Sequence, residues 1–422
     1  MALPQNSVLL TTVFLSVLWV APQAQSQTLS DALAAARYSL KADSNGLSGT
    51  GSHVLTEALD GAQLVAIGED HLTREIPLFT AAVCDEMAPR GLDAMVFETS
   101  PAAAQFVEST FGASDRVGQM ASLERKFPDS IAFVSDRQED DLAAHCAEAA
   151  KGNEFHLWGL DQEFLGSAGW ILQRMLETNP GPKALAAIHS MQKEEQESAA
   201  QAAATGDLSK VYLMSSTDAQ IAAARDAIRS DGRPLTRQLF DQMAESRSIY
   251  QEFALDSRSS NLKRAALLKR NFLKNYEAAK AARDASPRVL VKFGASHLYR
   301  GLNELHEGDL GNFLSELADV TGSRSLHIMV LGVAGEHAAY SKYGQPFTHS
   351  AFVMDEDRDF KWLAPAVAAR QDVRSDGPWT LYDLRQLRFG RVAHLDPSWE
   401  RVVYGYDLLV LIPELTPAEL LQ

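Results

Sequence analysis

Leu64-Val-Ala-Ile-Gly-Glu-Asp-His-Leu-Thr-Arg-Glu75 joins a short apolar run to a dense group of ionisable side chains. Leu64 to Ile67 fits a strand buried on both faces, Gly68 opens the backbone, and Glu69, Asp70, His71, Arg74 and Glu75 follow at once. Open parallel sheets bind ligands outside the carboxyl ends of their strands, so charge gathered there predicts a site rather than a solvated edge. The pattern recurs. Met95-Val-Phe97 runs into Glu98, His156-Leu-Trp-Gly-Leu160 into Asp161, and Val289-Leu-Val-Lys-Phe293 into Gly294-Ala-Ser-His297. These runs are expected to be parallel neighbours in one sheet, delivering Glu69, His71, Glu98, Asp161 and His297 to one rim.

Around these runs the chain alternates strand and helix, which predicts an α/β fold with a mainly parallel central sheet flanked by helices. Helical spacing covers Leu29 to Leu40, Arg74 to Met87, Ala102 to Glu108 and Gln138 to Ala150, and Ser44 to Ser52 has loop composition. From about residue 166 to 283 the chain turns to long stretches rich in Ala, Gln, Glu and Lys. This predicts a helical insertion capping the sheet, its last helix spanning Ser257 to Ala279 and turning Arg264 and Asn271 inward. Strand character returns at Leu326 to Val333 and at Asp407 to Ile412.

Of the 422 residues, the first 26 carry no charged side chain, and Val8 to Ala21 form an apolar core before Gln23-Ala-Gln-Ser26. That reads as a secretory signal, too short in its apolar part to span a bilayer, so export to a periplasmic or secreted location is expected, without stable membrane insertion after cleavage. Residues 27–422 would then form the mature domain. A net charge of −16 with no basic stripe argues against nucleic acid and leaves a small molecule as the expected partner. The two cysteines, Cys84 and Cys146, sit in predicted helices, where a buried free thiol is the simpler expectation and a disulfide the alternative open to an exported chain.

Gly68-Glu-Asp-His71 and Gly294-Ala-Ser-His297 share the form Gly-x-x-His after an apolar strand. Histidine titrates near neutrality, so it can take a proton from water and return it to a leaving group. Glu98 is placed to orient His71, and Arg264 or His297 to stabilise developing negative charge. Glu69 and Arg74 complete the expected catalytic set, with no cofactor. The same side chains admit a rival assignment in which His71, His297, Glu98 and Asp161 bind a divalent metal ion, and a third in which a histidine is the axial ligand of haem. Gly335-Glu-His337 mimics the first motif without neighbouring acids, and His156 begins its strand, which puts it at the opposite rim.

In order along the chain, Gly-Glu-x-His-x-x-Arg-Glu75, Val-Phe-Glu98 and Trp158-Gly-Leu-Asp161 resemble the erythromycin-esterase family, within the wider group of ChaN-like haem-binding and Tiki-type proteins. Arg264 followed by Asn271, Asp309-Leu-Gly-Asn-Phe-Leu314, Leu381-Tyr-Asp-Leu-Arg385 and Tyr404-Gly-Tyr-Asp407 through Thr416-Pro417 extend the resemblance over most of the mature chain. It implies a hydrolase acting on a carboxylic ester or related acyl bond. The threonine that the family usually places between the Glu-x pair and the first histidine is absent here, and two further positions depart from its pattern. Thr80 stands where a basic residue is usual, and Gly294 replaces the first histidine of a His-x-x-His pair, leaving the form typical of the Tiki-type and haem-binding relatives. Both point away from a macrolide ester as the substrate.

Overall fold

The computed structural model describes residues 27–421; the expected signal segment, residues 1–26, lies outside them. Ten described strands form one sheet: β1 (Arg37–Asp43), β2 (Gly46–Ser48), β3 (Leu64–Glu69), β4 (Leu92–Phe97), β5 (His156–Gly159), β6 (Arg288–Gly294), β7 (Ser325–Ala339), β8 (Thr348–Val353), β9 (Trp379–Asp383) and β10 (Leu408–Leu415). Their order is β2-β1-β9-β10-β7-β3-β6-β4-β5, with β8 paired to β7. From β10 to β5 every pairing is parallel, and β3, β6, β4 and β5 lie side by side as the repeated motif predicts.

The sheet is mixed rather than wholly parallel, since β1, β2, β8 and β9 pair antiparallel. Two local expectations fail. The first helix covers only Leu29–Ala35, after which Arg37 to Leu40 pair with β9; the presumed loop after Ser44 holds β2 and the start of the helix Thr50–Asp60. β1 pairs locally with β2, but its other partner, β9, lies more than 300 residues away in sequence. Pairing at that distance overrides local helical spacing.

Alternation along the strands feeds two cores. Val65 and Ile67 join Phe79, Met95, Phe97 and Leu290 on one face, while Leu64 and Ala66 join Val96, Val291, Phe272 and Tyr276 on the other. Period-two strands buried on both faces read as continuous apolar runs, which is why their residues gave a strand signal without alternation. On the first face pack the helices Glu75–Met87 and Arg137–Ala149. Asp136 caps the second by accepting the amides of Gln138 at 3.0 Å and Glu139 at 2.9 Å.

A disulfide joins Cys84 and Cys146 across these two helices, so the expected free thiols are corrected. Side-by-side packing brings the two Cα atoms to 5.5 Å, within bridging distance. Closing a sequence separation of 62 residues restricts the unfolded chain by about 4 kcal/mol in the loop-entropy account.

Between Ala168 and Arg283 the chain forms helices and no strand, ending in the long helix Ser257–Arg283. Leu268, Phe272 and Tyr276 of that helix pack on the second face of the sheet. Among the described residues no helix is long and apolar enough to cross a membrane.

Candidate active site

β3 ends in Glu69, whose side chain leaves the same face as Val65 and Ile67. The following turn brings His71 back over it, so that Glu69 Oε1 lies 2.9 Å from His71 Nδ1. On the other side of the ring, Nε2 lies 3.3 Å from Glu98 Oε2, at the end of β4. Phe133 stacks flat on the imidazole, with ring centroids 4.0 Å apart and an interplanar angle of 17°. The sequence reading gave Glu98 the orienting role; in the structure Glu69 faces Nδ1, and Glu98 faces Nε2 where a reacting molecule would approach.

Glu98 is the hub. Its Oε1 accepts from Arg264 at 2.6 Å and lies 3.5 Å from His297 Nε2, while Oε2 accepts the Gly294 amide at 2.8 Å. Arg264 also holds Asp161, with Nε 2.9 Å from Oδ1 and a second bond to Oδ2. Asn271, two turns further along the same helix, donates to the Leu160 carbonyl at 2.7 Å. Both residues face inward as their spacing predicts, and Glu69, His71, Glu98, Asp161, Arg264 and His297 form one connected group.

Arg74 does not join them. Leu72 takes a left-handed φ of 61°, and the chain leaves the rim before the helix begins at Glu75. Arg74 instead donates to the Pro417 carbonyl at 2.8 Å and pairs with Glu419 at 2.7 Å, its side chain 44% exposed. With Glu75, which accepts from Thr416, it latches the carboxyl-terminal segment. His337 differs from expectation in the other direction, since Asp70 supplies it an acidic neighbour at 3.4 Å. His156 lies apart from the group, paired with Glu108 at 3.0 Å.

Three further residues belong to the site. Lys292, 2% exposed, reaches Glu69 at 2.5 Å and also bonds Glu139, which the helix Arg137–Ala149 brings under the sheet. Asp309 caps the helix Leu310–Val320 and lies 2.7 Å from His297 Nδ1. A lysine inside a run buried on both faces was the one local signal for this network; nothing in the sequence paired it with Glu139.

The electrostatics follow from this packing. Burial disfavours a charged His71, but the flanking carboxylates of Glu98 and Glu69 outweigh it and push its pKa up to about 10. His297 is raised in the same way, against burial, by Glu98 and Asp309. Burial would raise Glu98, yet His297, His71 and Arg264 together hold it well below the usual carboxylate range. Glu139 shows the opposite balance: burial, with Glu69 and Asp136 nearby, overcomes the pull of Lys292 and raises its carboxyl pKa well above the usual carboxylate range.

Gly294 allows His71 and Glu98 to come so close. A Cβ there would stand 2.7 Å from His71 Nε2. Beside it opens a cavity of about 610 Å³, bounded by Glu69 to His71, Gly294 to His297, and the apolar side chains of Met329, Leu331, Phe360 and Trp362. Its size suits a small organic molecule.

Solved structures share this mixed α/β fold. An erythromycin esterase variant in its open conformation has the same fold: TM-score 0.58, 13% identity, covering 91% of this chain and 99% of that one. A succinoglycan biosynthesis protein (TM-score 0.58, 13% identity, 93% of this chain and 97% of that one) and a Bacillus cereus protein (TM-score 0.58, 13% identity, 93% and 98%) share it too. No family model matches the sequence, and no curated protein matches it either. The chain has the erythromycin-esterase fold.

Proposed function

We propose that the protein is an exported hydrolase that activates water at His71 to cleave a carboxylic ester or related acyl bond. The observation that carries this is the Glu69–His71 pair, whose Nε2 edge meets Glu98 beside the cavity. Nδ1 bonded to a carboxylate fixes the ring and supports the imidazolium that forms when Nε2 takes a proton. Glu98 is a poor base, because two histidines and an arginine stabilise its anion. It and His297 are instead placed to hold the attacking water and the charge that develops on the acyl oxygen. The contacts of Nε2 on both histidines to Glu98, at 3.3 and 3.5 Å, are long enough to yield to a third partner.

Metal-free chemistry is favoured by how the donors are engaged. Arg264 takes both oxygens of Asp161 and one of Glu98, and a guanidinium there repels a divalent ion. Among the described residues no three His, Cys, Asp or Glu side chains are grouped to hold a metal.

The test is hydrolysis of 4-nitrophenyl butyrate by wild type and His71→Ala. The variant is expected to lose roughly 10²- to 10⁴-fold in kcat/KM, and exhaustive chelation to leave wild type active. Because the base form of His71 is populated only toward its raised pKa, kcat/KM should climb with pH up to about 10. Activity lost on chelation and restored by a divalent salt would overturn the assignment, as would full activity in His71→Ala.

A further inference from the structure

The charged side chains around the cavity are nearly all answered. Glu69 is held by Lys292, His71 by two glutamates, and His297 by Asp309. Asp70 has His337 at 3.4 Å, Asp359 has Arg358 at 3.5 Å, and Glu304 accepts from the Ser296 hydroxyl. Arg401, half-buried in the same wall, has no hydrogen-bond or ion-pair partner among the described residues.

Beside it stands a second donor without a partner. Tyr299 lines the cavity at 7% exposure, and its hydroxyl bonds to nothing among the described residues. The ring is rigidly placed: it packs edge-on against Tyr406, centroids 4.9 Å apart, and over Gly405, where a Cβ would stand 2.5 Å from its Cδ1. Arg401 precedes Gly405 by one turn on the helix Pro397–Gly405, so both share the helix face turned to Tyr299. Burial and the nearby Glu304 keep the phenol protonated, against the opposing pull of Arg401, so it remains a donor. A guanidinium fork and one hydroxyl, the second held in place by its packed ring and both unanswered, form a receptor for an oxyanion.

We propose that Arg401 and Tyr299 form a subsite for a carboxylate carried by the substrate, which is then an amphipathic monoanion whose apolar part lies along Met329, Leu331 and Phe360. One guanidinium balances one negative charge. A phosphate dianion would bring surplus charge toward Glu304 and Asp70, which favours a carboxylate. The word substrate rests on the hydrolase reading; the subsite itself does not.

Two measurements separate the two ideas. In the first, calorimetry with hexanoate as probe uses wild type and His71→Ala, so no turnover is needed. Both are expected to bind hexanoate and not hexanamide, and Arg401→Met to weaken hexanoate roughly 10- to 100-fold. Arg401→Lys should retain part of the affinity, and Tyr299→Phe should weaken it less than Arg401→Met does. In the second, kcat/KM for mono-(4-nitrophenyl) glutarate relative to 4-nitrophenyl butyrate is compared between wild type and Arg401→Met, and the ratio is expected to fall by a similar factor. Hexanoate binding without any ester turnover would leave the subsite standing and remove the hydrolase. Hexanoate affinity unchanged in Arg401→Met, or tighter binding of hexyl phosphate than of hexanoate, overturns the proposal.

Discussion

Replacing Lys292 by Met tests whether the buried lysine holds the Glu69–His71 pair. Lys292 sits 2.5 Å from Glu69 and is nearly inaccessible to water. Removing the ammonium takes from the buried Glu69 carboxylate one of its two cationic partners, leaving only His71. Taking one partner from a buried ion pair costs about 3–5 kcal/mol. For a chain of this size that lowers Tm by about 4–6 °C. Lys292→Met is therefore expected to melt earlier by that amount at pH 7.5, measured by thermal denaturation with calorimetric control. Adding Glu69→Gln removes the buried carboxylate that Lys292 had balanced, in nearly the same shape, so the double variant should recover part of the loss while remaining inactive on 4-nitrophenyl butyrate. Glu139→Gln alone should cost less than Lys292→Met, because burial beside Glu69 and Asp136 already disfavours the charged form of Glu139. A Lys292→Met protein as stable as wild type, or no recovery on adding Glu69→Gln, would refute the reasoning.

Two other expectations follow from the same geometry. Gly294→Ala sets a methyl group 2.7 Å from His71 Nε2, and is expected to push the ring off Glu98 and cut ester hydrolysis at least tenfold with a Tm shift of only a few degrees, an estimate from overpacking energies; full activity would show that the ring's position is not limiting. Folding raises the His71 pKa from 6.5 to about 10, so the folded state keeps a proton that the unfolded chain gives up. That contribution is complete below pH 6.5 and is lost as pH rises through about 10, so His71→Gln should narrow its stability gap to wild type over this window; parallel curves would falsify the raised pKa.

The residues around Glu69, Glu98, Asp161 and His297 determined a good deal by themselves. Each follows an apolar run of strand length, and a strand buried on both faces can end in charge only at a rim, so neighbouring parallel strands and a shared rim are legible in the sequence alone. The spacing of Arg264 and Asn271 likewise fixed one helix face, and that face turned out to be the inner one. Arg74 shows the limit of such reading. It lies three residues from His71, yet the positive φ at Leu72 sends it to the carboxyl-terminal segment instead, and no local pattern announces that turn. β1 and β9 escaped notice because their pairing is set across most of the chain length. The Cys84–Cys146 bond, the Lys292–Glu139 contact and the Arg401–Tyr299 pair depend on which helix lies against which strand. Periodicity reports which face of an element is buried. Which partner meets that face is decided by packing between segments far apart in sequence, and only the tertiary structure contains it.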